Sequence, residues 1–300
     1  MRYLDEMSRA LLRTASRLST ILGWIVAAAA APARADSPPP VHWAYGPYFG
    51  TGYYSSLDGD DTFVVRMRPG WRWRDAELGE HERKLGLRFR LPIALGLQRP
   101  RRATLAETVA ETLDRDHVST LSIVPGAEIE VPIGPQWSLK PFAYVGYGKR
   151  FDGDAAAWIY WSGIKSRVSF GGDDFAWALV NGLTYVGYSS DSREHGSALP
   201  LLTAFEFSTP MAKKIGGHGV RLHWHVAYTD YLNPLVYSDG IDTRRLELID
   251  EWEVGAAFST GEQPLKLWRL KWDQLGLAYR VSSDREFRGV RLTFSSLFDR

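Results

Sequence analysis

The chain contains no cysteine. Disulfides and thiolate metal sites are thereby excluded. It also lacks an excess of one charge: 36 Lys and Arg stand against 35 Asp and Glu, a formal net charge of +1. Such a balance gives no global field for a polyanion, so a nucleic-acid partner is not expected. After Ala35 there is no apolar run near the roughly 20 residues that a transmembrane helix needs. Crossing a bilayer with helices is excluded, but crossing with strands is not. Aromatic residues, in contrast, are abundant: 12 Trp, 14 Tyr and 13 Phe. Trp and Tyr join an apolar ring to a polar atom, which suits a membrane–water interface.

The N-terminus reads as a secretory signal over 1–35. It has an arginine-bearing start, an apolar stretch around Ile21–Ala31 and a small-residue site, Ala33-Arg34-Ala35, with cleavage expected after Ala35. Its apolar core is too short for a membrane anchor. Asp5 and Glu6 are unusual in such a start; initiation at Met7 would remove them. Residues 36–42, with Pro38–Pro40, make a stiff periplasmic leader, and 43–300 form one domain.

That domain alternates with a period of two. In Leu85–Leu97, "LGLRFRLPIALGL", the odd positions Leu85, Leu87, Phe89, Leu91, Ile93, Leu95 and Leu97 are all large and apolar. Between them lie Gly86, Arg88, Arg90, Pro92, Ala94 and Gly96, so one strand presents two unlike faces. It is about twice the usual 5–6 residues of a strand, near the length that crosses a bilayer at a tilt. Twelve such segments are predicted, near 43–56, 62–74, 84–98, 117–131, 137–150, 156–169, 174–189, 196–208, 218–230, 244–259, 266–282 and 286–298. The sixth has apolar residues on both faces, and the eleventh changes phase near Trp272–Gln274. So many arginines and glutamates cannot occupy a dry core, so the apolar face is expected outward and the charged face in a lumen. The pattern predicts an all-β, closed, antiparallel up-and-down transmembrane barrel of about twelve strands.

With the N-terminus periplasmic, 99–116 and 231–243 become long outward connections, while 133–136, 171–173 and 260–264 become short periplasmic turns. Within the first of these, 104–116 departs from the period of two. Leu105, Val109, Thr112 and Leu113 share a helical face, and Thr104 with Glu107 forms a capping box. A short loop helix is predicted there. It is either exposed or folded into the lumen as a plug against the arginines of strands two and three.

The last segment, "FRGVRLTFSSLFDR", sets Val290, Leu292, Phe294 and Phe298 on one face against Gly289, Arg291 and Thr293. A final strand alternating to a terminal aromatic resembles the assembly signal of bacterial outer-membrane barrels. Together with the strand count and the last hairpin, the chain resembles autotransporter-type barrels, particularly solitary ones without a passenger. The resemblance implies a Gram-negative outer-membrane location, with outer-membrane lipid and the barrel-assembly machinery as partners. Phe298 is followed by Asp299 and Arg300, whereas that family usually ends on the aromatic.

Candidate chemistry is sparse. His195-Gly196-Ser197 resembles the His-x-Ser of outer-membrane lipid A deacylases and phospholipases, in which His activates Ser at the bilayer rim. Their Asn-Gly continuation is replaced by Ala198, Leu199 and Pro200, and no catalytic residue is assigned. His223 and His225 share a face at a spacing feasible for metal, without a third nearby ligand in sequence, so no metal site is assigned. The acidic runs 58–61 and 152–154 fit hairpin tips better than calcium loops, and no cofactor motif is found. The main constellation is charge facing the lumen: Arg66, Arg68, Arg72, Arg74, Arg88 and Arg90 on neighbouring strands two and three. It continues with Glu128 and Glu130 on strand four, Arg221, His223 and His225 on strand nine, and Glu247, Glu251 and Glu253 on strand ten. Like charges on adjacent strands need partners. The network either rigidifies a narrow barrel or lines a constricted pore favouring a small anionic solute. The expected function is a non-catalytic, narrow or plugged outer-membrane barrel. A rim-acting lipid hydrolase is the alternative, and a soluble secreted β protein the third reading.

Overall fold

Alternation of side chains in and out is what a closed antiparallel sheet requires, and the strands follow it. In the computed structural model the described residues are 43–56, 62–79, 82–98, 118–151, 155–191, 195–215, 217–237, 246–260, 265–267 and 270–300. The expected signal, the leader over 36–42, the 104–116 helix and both acidic tips lie outside them.

Twelve strands make the wall. They are β1 (Gly52–Ser56), β2 (Thr62–Met67 and Gly70–Arg74), β3 (Gly86–Arg90 and Ile93–Gln98), β4 (Val118–Ile123 and Gly126–Gly134), β5 (Trp137–Arg150) and β6 (Ala156–Gly171). The remainder are β7 (Ala176–Ser190), β8 (His195–Ala198 and Pro200–Ile215), β9 (His218–Tyr237), β10 (Leu246–Ser259), β11 (Leu275–Val281) and β12 (Phe287–Thr293). Each pairs antiparallel with its neighbours in sequence, and β12 closes on β1 with Gly52 opposite Arg291 and Ser56 opposite Phe287. The ring has two ends. At the loop rim β1, β3, β5, β7, β9 and β11 end and the next strands begin. At the turn rim β2, β4, β6, β8 and β10 end and the next strands begin.

β2, β3 and β4 are each interrupted at a proline, Pro69, Pro92 and Pro125, because proline has no N–H for the ladder. The three breaks lie side by side. Leu91 N donates to Pro69 O at 2.9 Å, Val124 N to Pro92 O at 2.9 Å, and Val145 N to Pro125 O at 3.0 Å. A proline crease thus crosses the wall from β2 to β5 without severing it.

Large apolar side chains cover the outside. Leu91 is 39% exposed whereas Ala94 is 2%, which puts the two faces of β3 as the alternation predicts. Aromatic pairs collect near both rims. Toward the turn rim Phe170 stacks on Trp177 with centroids 4.1 Å apart, and Phe207 on Trp224 at 3.8 Å. Toward the loop rim lie Tyr147–Trp158 at 5.6 Å and Tyr228–Trp252 at 4.9 Å.

Three predicted strands need correction. Residues 43–49 are not wall. They form a 3-10 turn, Trp43–Tyr45, and one α turn, Gly46–Phe49, with Pro47 in the first turn, where its missing N–H costs no hydrogen bond. Gly50, at φ 95°, then turns the chain into β1. The eleventh segment contributes only Leu275–Val281 to the wall; Leu265–Leu267 and Leu270–Trp272 pair as a separate small hairpin, which explains the phase change. β12 ends at Thr293, and the chain beyond it bends inward.

Candidate functional site: a lumen filled from both ends

The inward faces make two different environments. In the loop-rim half they are apolar: Ala157, Ile159 and Trp161 of β6 join Val186 and Tyr188 of β7 around Tyr45 and Phe49. Tyr45 meets Tyr188 edge-on at 5.3 Å, and Phe49 lies 5.9 Å from Phe287. This is why β6 is apolar on both faces: one side meets the exterior and the other packs on segment 43–50, the inner leader into β1, distinct from residues 36–42. Arg66 anchors that segment, its Nη1 donating to Pro47 O at 2.7 Å, and Arg291 Nη1 donates to Phe49 O at 3.3 Å.

The turn-rim half is ionic, and the tail 294–300 folds up into it. Asp299 takes Lys140 Nζ at 2.6 Å and Arg88 Nη1 at 3.0 Å on one carboxylate oxygen. Arg68 Nη1 donates to Asp299 O at 2.8 Å, and Lys165 Nζ donates to Leu297 O at 3.0 Å and Arg300 O at 2.7 Å. Glu206 accepts from Leu297 N at 2.5 Å. Phe298 is 4% exposed, with Lys140 Nζ 4.0 Å above its ring. Burial opposes ionisation of Asp299, but Lys140 and Arg88 outweigh it and hold its carboxyl well below the ordinary carboxylate range.

Two carboxylate centres organise the wall. Glu128 pairs with Arg68, lies 3.6 Å from Arg90 and 3.9 Å from Arg88, and accepts from Tyr144 OH at 2.5 Å. Glu253 meets His225 at 2.8 Å, Arg291 at 2.5 Å and Arg300 at 2.6 Å. Glu251 pairs with Arg280 and accepts from Tyr231 OH at 3.1 Å. Burial and the neighbouring Arg291 push the Arg300 guanidinium down to about 10, so it stays charged at neutral pH.

Of the predicted lumen residues, Arg66, Arg68, Arg88, Arg90, Glu128, His225, Glu251 and Glu253 are therefore brought into the interior. His223 faces the same way, with Nε2 2.7 Å from Ser259 Oγ. Arg221 stays nearer the turn rim, donating to Ser208 Oγ at 2.9 Å and Asp173 O at 3.0 Å. Arg72 and Arg74 lie past the Pro69 break, nearer the turn rim and exposed. Arg72 stands opposite Arg88 on the same face and pairs with Asp75 at 2.8 Å, and Arg74 Nε donates to Leu85 O at 2.6 Å. Glu247 is exposed, because an irregular register opposite Asp230–Leu235 reverses the phase of β10 before Glu251. Glu130 does not reach the buried pairs; it lines a vestibule of about 380 Å³ at the turn rim with Arg88 and Asp299.

Sequence reasoning missed Lys140, Tyr144, Lys165, Arg280 and the tail itself. The strand residues stand in inward phase and were findable by following the alternation of β5, β6 and β11. The tail was masked by Phe294 and Phe298, whose spacing fits a continuing strand. Val290 and Leu292 do keep to β12, with Leu292 37% exposed, whereas Phe294 meets Trp272 at 5.6 Å beyond the strand end.

His195 and Ser197 lie on the short first part of β8, paired opposite Ser189 and Gly187. Ser197 Oγ accepts from Asn233 Nδ2 at 3.4 Å, and its carbonyl from the same group at 2.9 Å. An amide N–H takes no proton from serine, so this contact does not activate the hydroxyl. Among the described residues no group of three His, Asp or Glu side chains is placed to hold a metal ion.

No family model and no curated protein matches the chain. Among solved structures, the crystal structure of the beta domain of the Bordetella autotransporter BrkA is similar, with 12% identity, a TM-score of 0.48, and coverage of 81% of this chain and 96% of that one.

Proposed function

We propose that the chain is an integral outer-membrane β-barrel without catalytic chemistry, closed by its own leader and tail, that passes small anions when the tail withdraws. The inverted polarity of the fold carries this reading: Arg, Lys and Glu pairs fill the inside while Trp, Leu, Phe and Val cover the outside. Such an exterior is stable against lipid and not against water. The two aromatic belts suit the two interfaces of a bilayer. Outer-membrane lipid and the barrel-assembly machinery are the partners this implies. The basic wall of β2 and β3 would favour an anionic solute once the tail no longer neutralises it.

Detergent-extracted protein is expected to migrate faster unboiled than boiled, and to give little current in a planar bilayer. Deleting 294–300 should raise conductance and shift selectivity toward anions. Water-soluble protein without heat-dependent migration would overturn the membrane reading; unchanged current in the folded deletion would overturn the tail gate. Lipid release by wild type that Ser197→Ala abolishes would make the rim catalytic instead.

A further inference from the structure

Between leader and tail the lumen encloses a cavity of about 110 Å³. Six basic side chains line it, Arg66, Arg68, Lys165, Arg280, Arg291 and Arg300, against two carboxylates, Glu251 and Glu253. Both carboxylates are already engaged by Arg280, Arg291, Arg300 and His225. Among the described residues no Asp or Glu side chain pairs with Arg66 or Lys165, whose partners are main-chain oxygens of the leader and tail. Crediting the Arg300 main-chain oxygen with a full negative charge would still leave the lining in cationic excess. Carbonyl dipoles lower the cost of a buried cation but do not neutralise it.

The unmet hydrogen bonds say what is missing. Arg68 Nε, Arg280 Nη1, Arg291 Nε and Arg300 Nη2 are buried without a hydrogen-bond partner, and all four residues line this cavity. On the same lining, Glu251 Oε2 is a buried acceptor without a donor. Several guanidinium donors and one lone acceptor are the complement of a tetrahedral oxyanion that still carries a proton. Water could occupy the space, at about 30 Å³ per molecule, but would leave the charge unbalanced.

We propose that this cavity binds one monoprotonated tetrahedral oxyanion, inorganic phosphate being the simplest. Its charged oxygens accept from Arg68, Arg280, Arg291 and Arg300, Lys165 and Arg66 supply further positive charge, and its P–OH donates to Glu251. Sulfate has no proton to give at neutral pH and would set a bare oxygen against Glu251 Oε2, so phosphate is preferred. The site deepens the anion preference proposed above. It requires the filled lumen and not conduction, so current and binding fail independently.

The test folds the full chain from urea into detergent with radiolabelled inorganic phosphate present, so that access does not depend on the tail opening. After gel filtration, about one phosphate per barrel should be retained, displaced on refolding by excess unlabelled phosphate and poorly by equal sulfate. Lys165→Met, with folding checked by heat-dependent migration, should lower retention at least tenfold. Glu251→Gln, whose amide can donate to a bare oxygen, should bring sulfate competition level with phosphate; it decides the matter if Lys165→Met does not fold. No retained label in folded wild type, equal competition by sulfate, or full retention in Lys165→Met would each overturn the proposal.

Discussion

Asp299 sits where basic groups from two strands meet, Lys140 of β5 and Arg88 of β3. Its carboxyl is held below the ordinary range, so the stability it lends the seated tail is fully present above the unfolded value near 4. That contribution is lost only as pH falls toward the lower seated value. Bilayer current should thus stay low from pH 8 to about 4.5 and rise only in stronger acid. Asp299→Asn should raise current at neutral pH and flatten that dependence; an unchanged acid response would assign the gate to other groups. Leu91, on the outer face of β3, gives the complementary case. Leu91→Arg should cost about 2–4 kcal/mol if the residue faces lipid, measured by urea unfolding in bilayers. Tolerance of arginine there would contradict a lipid contact.

At the scale of elements, alternation was enough to place the wall strands and most of their faces, because a period of two survives any loop length; it fails at Glu247, beyond the irregular register of β10. It could not identify the two segments that fold into the lumen. Residues 43–49 and 294–298 hold aromatics at spacings a strand also allows, and only packing against the inner wall separates the two outcomes. The apolar inner face of β6 was the one local sign that something apolar must fill the lumen. Phe49 is the clearest test of that filling. Phe49→Ala should destabilise the barrel by about 3–5 kcal/mol, as for other buried aromatics, readable as a lower urea midpoint in detergent. A midpoint matching wild type would mean the leader is not held in the lumen.

For the molecule as a whole, charge balance across the sequence concealed a strong internal imbalance. A net charge of +1 is compatible with a lumen where basic groups outnumber acidic ones, because acidic residues such as Asp75, Glu77 and Glu247 lie exposed. Pairing partners were also redistributed in a way no alternation could reveal. The arginines of β2 and β3 meet Glu128 of β4 and Asp299 of the tail, and the glutamates of β10 meet Arg280, Arg291 and Arg300. Each carboxylate took the basic groups brought nearest by the ring, and distance along the chain did not matter.

The leader runs straight into β1 and β12 runs straight into the tail, and these two strands form the seam that closes the ring. Each segment is tethered to the seam itself, so seating the leader before the seam zips would make stuffing the interior and sewing the wall shut a single late event. Weakening the contents should therefore delay the stitch. In refolding from urea, Phe49→Ala should reach the heat-resistant form more slowly than wild type, although none of its lost contacts are ladder hydrogen bonds. Equal rates would mean that the ring closes first and is filled afterwards.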